Sequence, residues 1–99
     1  MTKVFISQPM VDKTNEEIEK EREVAKERIK EIYGEDFEII DSFFKDAPHD
    51  AKPLWFLGES LKKLSEADIV FFEDGWENAR GCKIEHECAS AYGLSIIHD

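Results

Sequence analysis

The sequence is poor in cysteine and in basic residues, and it has no long apolar run. Its two cysteines, Cys82 and Cys88, are six positions apart in one predicted helix. That separation corresponds to about 9 Å along a helix axis, too far for a disulfide bond. Two free thiols are typical of a reducing compartment, so we expect a cytoplasmic protein. No apolar run approaches about 18 residues and no leader precedes the first strand, so neither a membrane span nor a signal peptide is expected.

Basic residues are outnumbered by acidic ones, 13 to 23, which gives a formal net charge of -10. A field of this sign repels nucleic-acid phosphates, so we expect no nucleic-acid polymer as a partner. A small phosphorylated ligand is still compatible, because a few local bases can make a favourable pocket. The 99 residues allow one domain, 1–99, whose small core would gain stability from a homo-oligomer, a dimer or larger.

Hydrophobic periodicity predicts strands and helices in strict alternation. Strands are predicted at 3–7, 37–40, 68–72 and 94–97, and helices at 15–33, 54–67 and 79–92. This order predicts a parallel sheet with helices on both faces. We therefore expect an α/β fold, a flavodoxin-like three-layer sandwich with four parallel strands in the order 2-1-3-4.

The first predicted helix has a clear start and a clear apolar stripe. Thr14 followed by Glu17 three positions later is a capping-box signature. The stripe has helical spacing and consists of Ile18, Ala25, Ile29 and Ile32. Arg22 falls on the same stripe, which is unusual for a charged residue. It is either a ligand-binding base or a side chain that snorkels at the edge of the stripe.

Glu85 is the acid that the pattern favours for chemistry. It lies in the first turns of the third predicted helix, on the apolar side, with the small neighbours Cys82, Cys88 and Ala89. The preceding turn is at the carboxyl end of the sheet, where open α/β folds bind ligands. The positive end of the helix favours an ionised carboxylate, which could attack a sugar anomeric carbon. The alternative is a solvated surface glutamate, one of 23 acids.

Other residues at the same edge could contact a ligand. Ser7 and Gln8 end the first strand and could bind a base or a phosphate, although an ordinary turn is the alternative. Arg80, followed by Gly81 near the start of the third helix, would suit a phosphate or carboxylate unless it forms a surface ion pair. Neither the P-loop nor the dinucleotide-binding glycine pattern is present.

A metal site and an aromatic platform are the remaining candidates. Cys82 and His86 have i, i+4 spacing, but Cys88 points to the other side of the helix, so the three cannot converge and we expect no metal. Trp76 could stack on a base, although packing in the core or in an interface is the default for such a side chain.

Several segments together resemble a known family. They are Val-Phe-Ile-Ser-Gln-Pro-Met near the start, Leu-Gly-Glu-Ser-Leu before Ala-Asp-Ile-Val, and Gly-Trp-Glu-Asn-Ala-Arg-Gly-Cys-Lys-Ile-Glu-His-Glu with Ala-Tyr-Gly. The pattern resembles the nucleoside 2-deoxyribosyltransferase-like family, and more narrowly its short branch in bacteria and phages. The resemblance covers nearly the whole chain.

The resemblance implies cleavage of the N-glycosidic bond of a deoxynucleoside or its monophosphate. In such enzymes a glutamate attacks C1′, and a free base (in transferases) or water (in hydrolases) resolves the covalent sugar intermediate. The matching glutamate is Glu85, eight residues before Gly93. A flavodoxin-like fold and an active site completed by a neighbouring subunit are also implied. No cofactor is expected.

Two positions depart from the family pattern. Ser60 and Ala79 stand where the enzymes carry acids, and a serine cannot supply the general-acid function of a carboxyl group. Glu59, Asp41 or Asp74 could replace the missing acid.

Two hypotheses follow, an enzyme and a binding module. In the enzyme Glu85 is the nucleophile and Asp41 or Asp74 handles protons. The predicted substrate-binding residues are Ser7, Gln8 and Met10 for base or sugar and Arg22 and Arg80 for a phosphate. Ser60 and Gly81 are predicted to contact the substrate as well. The alternative is a non-catalytic nucleotide-binding module or ligand sensor.

Overall fold

Four parallel strands form one sheet in the order β2-β1-β3-β4 in the computed structural model, which describes residues 1–99. The elements are β1 (Thr2–Ser7), α1 (Asn15–Tyr33), β2 (Phe37–Ile39), α2 (Pro53–Leu64), β3 (Ile69–Phe72), a 3-10 turn (Trp76–Asn78), α3 (Arg80–Ala91) and β4 (Ser95–His98). The predicted fold class and strand order are confirmed. Because β1 leads to β2 on one side and β3 leads to β4 on the other, the topological switch point lies between the carboxyl ends of β1 and β3.

The sheet separates two hydrophobic layers. On one face Ile6 of β1 belongs to a cluster with Ile29 of α1. On the other face Phe5 belongs to a cluster with Leu64 of α2 and Ala89 of α3. A single helix therefore covers one face and two helices cover the other. None of the three helices is both long enough and apolar enough to span a bilayer.

Helix α1 begins at the predicted capping box. The Thr14 hydroxyl accepts from the Glu17 N–H at 3.1 Å, and the Glu17 carboxylate accepts from the Thr14 N–H at 3.1 Å. The helix ends before Gly34, whose φ of 75° is the left-handed region that glycine tolerates best. The prediction that Ile32 belongs to the buried stripe is wrong, because its side chain is 55% exposed. A helix of 19 residues spans about 28 Å and extends past the three-residue β2 beside it.

Helix α2 ends three residues earlier than predicted, at Leu64. The Ser65 hydroxyl donates to the Lys62 carbonyl at 2.6 Å, and the Ala67 N–H donates to the Leu64 carbonyl at 3.0 Å. Serine side chains that bond the nearby backbone favour a helix end over a helix interior. The resulting turn leads the chain directly into β3.

Candidate active site

Strand alternation directs neighbouring side chains at the end of β1 to opposite layers. Phe5 belongs to the layer of α2 and α3, whereas Ile6 belongs to the layer of α1, and successive side chains in a strand alternate between faces. Ser7 therefore points toward α3 and Gln8 toward α1. The hydrogen bonds agree, since Ser7 donates to Glu85 of α3 and Gln8 donates to a backbone carbonyl of α1.

Glu85 lies on the buried side of α3, in its second turn. It is only 6% exposed, and Ser7 Oγ donates to Glu85 Oε1 at 2.7 Å. Cys82 and Ala89, one turn before and one turn after, are also buried and are small. Glu85 is therefore a positioned carboxylate at the sheet edge and not a solvated surface acid.

The environment of Glu85 acts on its ionisation in two directions. Burial raises the pKa of the Glu85 carboxyl, and the hydroxyls of Ser7 and Ser60 oppose this by hydrogen bonding to the ionised form. Ser60 is half-buried on α2. One side chain from each of β1, α2 and α3 thus forms a polar group that we call the Glu85 cluster (Ser7, Ser60 and Glu85).

The nearby thiol is not a candidate nucleophile. Burial raises the pKa of Cys82 to about 11, even though the Ser7 hydroxyl acts in the opposite direction. The thiolate is the reactive form of cysteine, so the raised pKa disfavours Cys82 as a nucleophile at neutral pH. Glu85 is therefore a better candidate nucleophile than Cys82 in this layer.

A second polar network lies on the α1 face. Gln8 Nε2 donates to Glu21 Oε1 at 3.1 Å, and Lys13 Nζ donates to the same oxygen at 2.9 Å. Arg22 Nη1 donates to Gln8 Oε1 at 3.3 Å, and Arg22 Nη2 donates to Ser42 Oγ at 3.4 Å. The structure therefore brings Gln8 and Arg22 together, on the opposite side of the sheet from the Glu85 cluster.

Arg22 is a buried charge that pairs with no carboxylate directly. It is 7% exposed, and its two acceptors are neutral oxygens at long hydrogen-bond distances. Burial lowers the pKa of Arg22, while the charges of Asp41 and Glu73 act to raise it. The guanidinium carries five N–H donors, and two of its nitrogens donate to Gln8 and Ser42. The phosphate-binding role of Arg22 stays a prediction.

Glu73 is a candidate site residue that the motif patterns did not single out. It directly follows β3 and is 8% exposed, and one of its carboxylate oxygens, Oε2, is buried without a hydrogen-bond partner. Burial raises the pKa of Glu73 to about 7; Glu21 adds to this rise and Arg22 opposes it. Alternation along β3, with Phe71 in the α1 layer and Phe72 in the other, places Glu73 toward α1. This alternation was the one signal in the sequence for the burial of Glu73, but the segment Glu-Asp-Gly is also typical of an ordinary turn.

Two surface hollows adjoin α1. The smaller, about 390 Å³, is lined in part by Lys13, Glu21, Glu73 and Asp74. The larger, about 570 Å³, is lined in part by Arg22, Asp41, Lys45 and Asp46. Glu85 lines neither of these two hollows, because it lies on the other face of the sheet.

The remaining predicted residues lie nearer to solvent. Met10 and Gly81 are half-buried, whereas Asp41, Asp74 and Arg80 are exposed. Asp41 Oδ1 accepts from the backbone N–H two residues ahead at 3.2 Å, and Asp74 lines the smaller hollow. The proton-handling and phosphate-binding roles of these residues stay predictions.

Aromatic rings stack at the end of β4. The Trp76 and His86 ring centroids are 4.2 Å apart with an interplanar angle of 8°, and the Nε2 atoms of His86 and His98 are 3.1 Å apart. His86 thus pairs with a residue of β4 and not with Cys82 or Cys88. No group of three or more His, Cys, Asp or Glu side chains is arranged to hold a metal ion.

The fold and this arrangement define a small parallel α/β protein with buried carboxylates at the carboxyl ends of its strands. The chain belongs to the family described as a domain of unknown function, DUF4406, whose family model matches residues 2–98. No curated protein matches the chain.

Proposed function

We propose that the chain cleaves or transfers the N-glycosidic bond of a (deoxy)nucleoside or nucleotide, with Glu85 as the nucleophile. The observation that supports this most directly is the buried Glu85 carboxylate, fixed by the Ser7 hydroxyl at 2.7 Å. A carboxylate held in one orientation at the ligand-binding edge of a parallel sheet is suited to nucleophilic attack. The motifs shared with nucleoside 2-deoxyribosyltransferase-like enzymes suggest the bond that is attacked.

The proposed reaction has two steps. A Glu85 oxygen bonds to C1′ while the C1′–N bond breaks and its electron pair leaves with the base. Water, or a second base, then attacks C1′ and frees the carboxylate, so the chain would be a hydrolase or a transferase. No cofactor is needed for either step.

The other predicted residues have supporting roles in this proposal. Asp41 or Asp74 handles protons. Base and sugar contacts are assigned to Ser7, Gln8 and Met10, and phosphate contacts to Arg22 and Arg80. Ser60 and Gly81 complete the proposed substrate-binding set. The Ser7 hydroxyl additionally favours the ionised form of Glu85, which the attack requires.

Trapping the sugar intermediate tests the proposal. We would incubate the protein with the four deoxynucleosides and their monophosphates, with and without acceptor bases, and measure released or exchanged base. A 2′-fluoro-arabino analogue of the best substrate should leave a covalent sugar on Glu85, detectable by peptide mass spectrometry. Glu85→Gln should lose about 10³-fold or more in rate.

A matched control is available on the same helix. Glu87 is exposed on α3, so Glu87→Gln removes the same charge and should keep the wild-type rate. Failure of the wild type to release any base, or an equal rate in Glu85→Gln, would refute the proposal.

The alternative is a nucleotide-binding module without turnover. It is favoured by Ser60, a hydroxyl in the Glu85 cluster at the position where the related enzymes carry a carboxyl group. Titration calorimetry would then show nucleotide binding without product, and binding would survive Glu85→Gln. If the wild type binds a nucleotide and forms no product, the binding module is the function that the experiment supports.

We further propose a cytoplasmic homo-oligomer. Large apolar side chains remain exposed on the helices. Leu54 of α2 is 75% exposed and Val24 of α1 is 50% exposed, and a partner subunit would cover such surfaces. The free thiols Cys82 and Cys88 support a reducing compartment. Sedimentation equilibrium should give a mass of at least two chains, and a monomer at micromolar concentration would contradict this part.

A further inference from the structure

The Glu73 carboxylate is the one buried polar group that the protein leaves unsatisfied. Glu73 is 8% exposed, and among buried side-chain nitrogen and oxygen atoms only its Oε2 has no hydrogen-bond partner. The buried base on the same face, Arg22, donates to Gln8 and Ser42 instead. A buried polar atom without a partner carries a free-energy penalty that a bound group can relieve.

The smaller of the two hollows gives this carboxylate access to a ligand. Glu73 lines it together with Asp74, with Asp99 after β4 and with residues of α1. The hollow therefore opens between α1 and the carboxyl ends of β3 and β4. Its volume of about 390 Å³ is within the range of small-molecule sites. The last torsion of a glutamate side chain is broad, so a rotation can present either oxygen to the hollow.

The charges that line the hollow favour a cation. Two of the bases are already neutralised by ion pairs, which are Lys13–Glu21 at 2.9 Å and Arg28–Asp99 at 3.1 Å. Glu73 and Asp74 take part in no ion pair, and the only other charge in the lining is that of the exposed Lys20. The net charge of -10 adds to the attraction for a cation.

We propose that this hollow binds the primary ammonium group of a small organic amine, with the Glu73 carboxylate as its main acceptor. An ammonium is a compact charge with three N–H donors, so it supplies both the hydrogen bond and the positive charge that Glu73 lacks. Val24 and Ala25, the apolar part of the lining, would contact the methylene groups of the amine. A metal ion fits less well, because no three acidic, histidine or cysteine side chains are arranged to hold one.

Binding of the amine should be coupled to the release of a proton. Burial raises the pKa of Glu73 to about 7; Glu21 and Asp99 act in the same direction, whereas Arg22 and Lys13 act against it. An aliphatic ammonium keeps its proton to about pH 10, so the carboxyl is the partner that changes its charge near neutral pH. The affinity should therefore rise by about 10-fold from about pH 6 to about pH 8, in proportion to the ionised fraction of Glu73.

Titration calorimetry with a linear diaminobutane in about 0.15 M salt tests the site. At about pH 8 the wild type should bind the diamine, and Glu73→Gln should raise the dissociation constant by about 10-fold or more, because a charged hydrogen bond is lost. Glu87→Gln changes the net charge equally at an exposed position and should bind like the wild type.

Two analogues of the diamine separate charge from hydrogen bonding. Butanediol has the same length without a charge, and tetramethylammonium has the charge without an N–H donor. Both should bind the wild type at least about 10-fold more weakly than the diamine.

The wild type alone supplies a further readout, should Glu73→Gln fail to fold. Calorimetry in two buffers of different ionisation enthalpy should show about half a proton released per bound diamine at about pH 7. No binding of the diamine, binding that survives Glu73→Gln, or an affinity independent of pH would overturn the role of Glu73. Equally tight binding of tetramethylammonium or magnesium chloride would overturn the ammonium as the ligand class. The site is separate from the Glu85 cluster, so these outcomes leave the proposed function untouched.

Discussion

Glu73 should make the stability of this protein fall as the pH rises through the weakly acidic range. Its carboxyl has a pKa of about 7 in the folded chain against an ordinary value of 4.5. Between these values the folded state binds more protons than the unfolded state, so the free energy of unfolding decreases with pH. Below about pH 4.5 the ionisation of Glu73 causes no loss of stability, and above about pH 7 the loss is complete.

The magnitude follows from the size of the shift. Each pKa unit corresponds to about 1.4 kcal/mol, so the whole shift corresponds to about 3 kcal/mol. Domains of this size are stable by about 5–15 kcal/mol in total. Ionisation of one side chain should therefore remove a substantial part of the stability.

Glu73→Gln isolates this contribution, because glutamine has nearly the same shape and does not ionise. We expect the difference in free energy of unfolding between variant and wild type to move by about 3 kcal/mol in favour of the variant from about pH 4.5 to about pH 8. Urea unfolding at intervals across this range measures it, with an unchanged slope against urea showing that the folded state stays intact.

A control variant removes the same charge from the surface. Glu87 is exposed, so Glu87→Gln corrects for the change in net charge and should follow the wild-type curve. The burial of Glu85 also shifts its pKa upward, but that contribution is common to all three proteins and cancels. Parallel curves for wild type and Glu73→Gln would refute the reasoning.

Three further predictions follow from burial and hydrogen bonding. Ser7→Ala should cost about 1–3 kcal/mol in urea unfolding, and more at about pH 8 than at about pH 5, because the ionised carboxylate beside it loses a donor; a cost independent of pH would contradict this. Ile29→Ala should cost about 2–5 kcal/mol, whereas Ile32→Ala on the same helix should cost less than about 1 kcal/mol, since the first side chain is 0% exposed and the second 55%. Equal costs would place the last turn of the helix against the sheet. Iodoacetamide should label half-buried Cys88 before buried Cys82 at neutral pH, as followed by peptide mass spectrometry; the reverse order would show that the α3 layer is open.

Much of the fold follows from local sequence patterns. The capping box at Thr14 fixes where α1 begins, and the alternation of apolar strands with helices limits the sheet to a parallel arrangement. The position of Glu85 on the buried side of α3 could also be predicted from the sequence, because its neighbours one turn away are small. These features depend on residues that are close in the chain.

The composition of the site depended on contacts between distant segments. Ser7 and Gln8 are adjacent in sequence, yet their side chains enter different layers and join different networks. His86 and His98 meet because β3 and β4 are parallel neighbours, with Phe72 opposite His98. Neither arrangement follows from spacing along one element, since each requires the identity of the neighbouring strand and of the helix above it.

Local patterns were enough to predict the order of the elements, the start of α1 and the side of α3 on which Glu85 lies, because periodicity and capping act within about two turns of helix. The enclosure of Glu73 became visible in the folded chain, where its N–H bonds to Ser7 of β1 and its side chain shares a hollow with residues of α1. The desolvation that changes its ionisation is a property of those assembled neighbours, and the Glu-Asp-Gly turn by itself does not specify them.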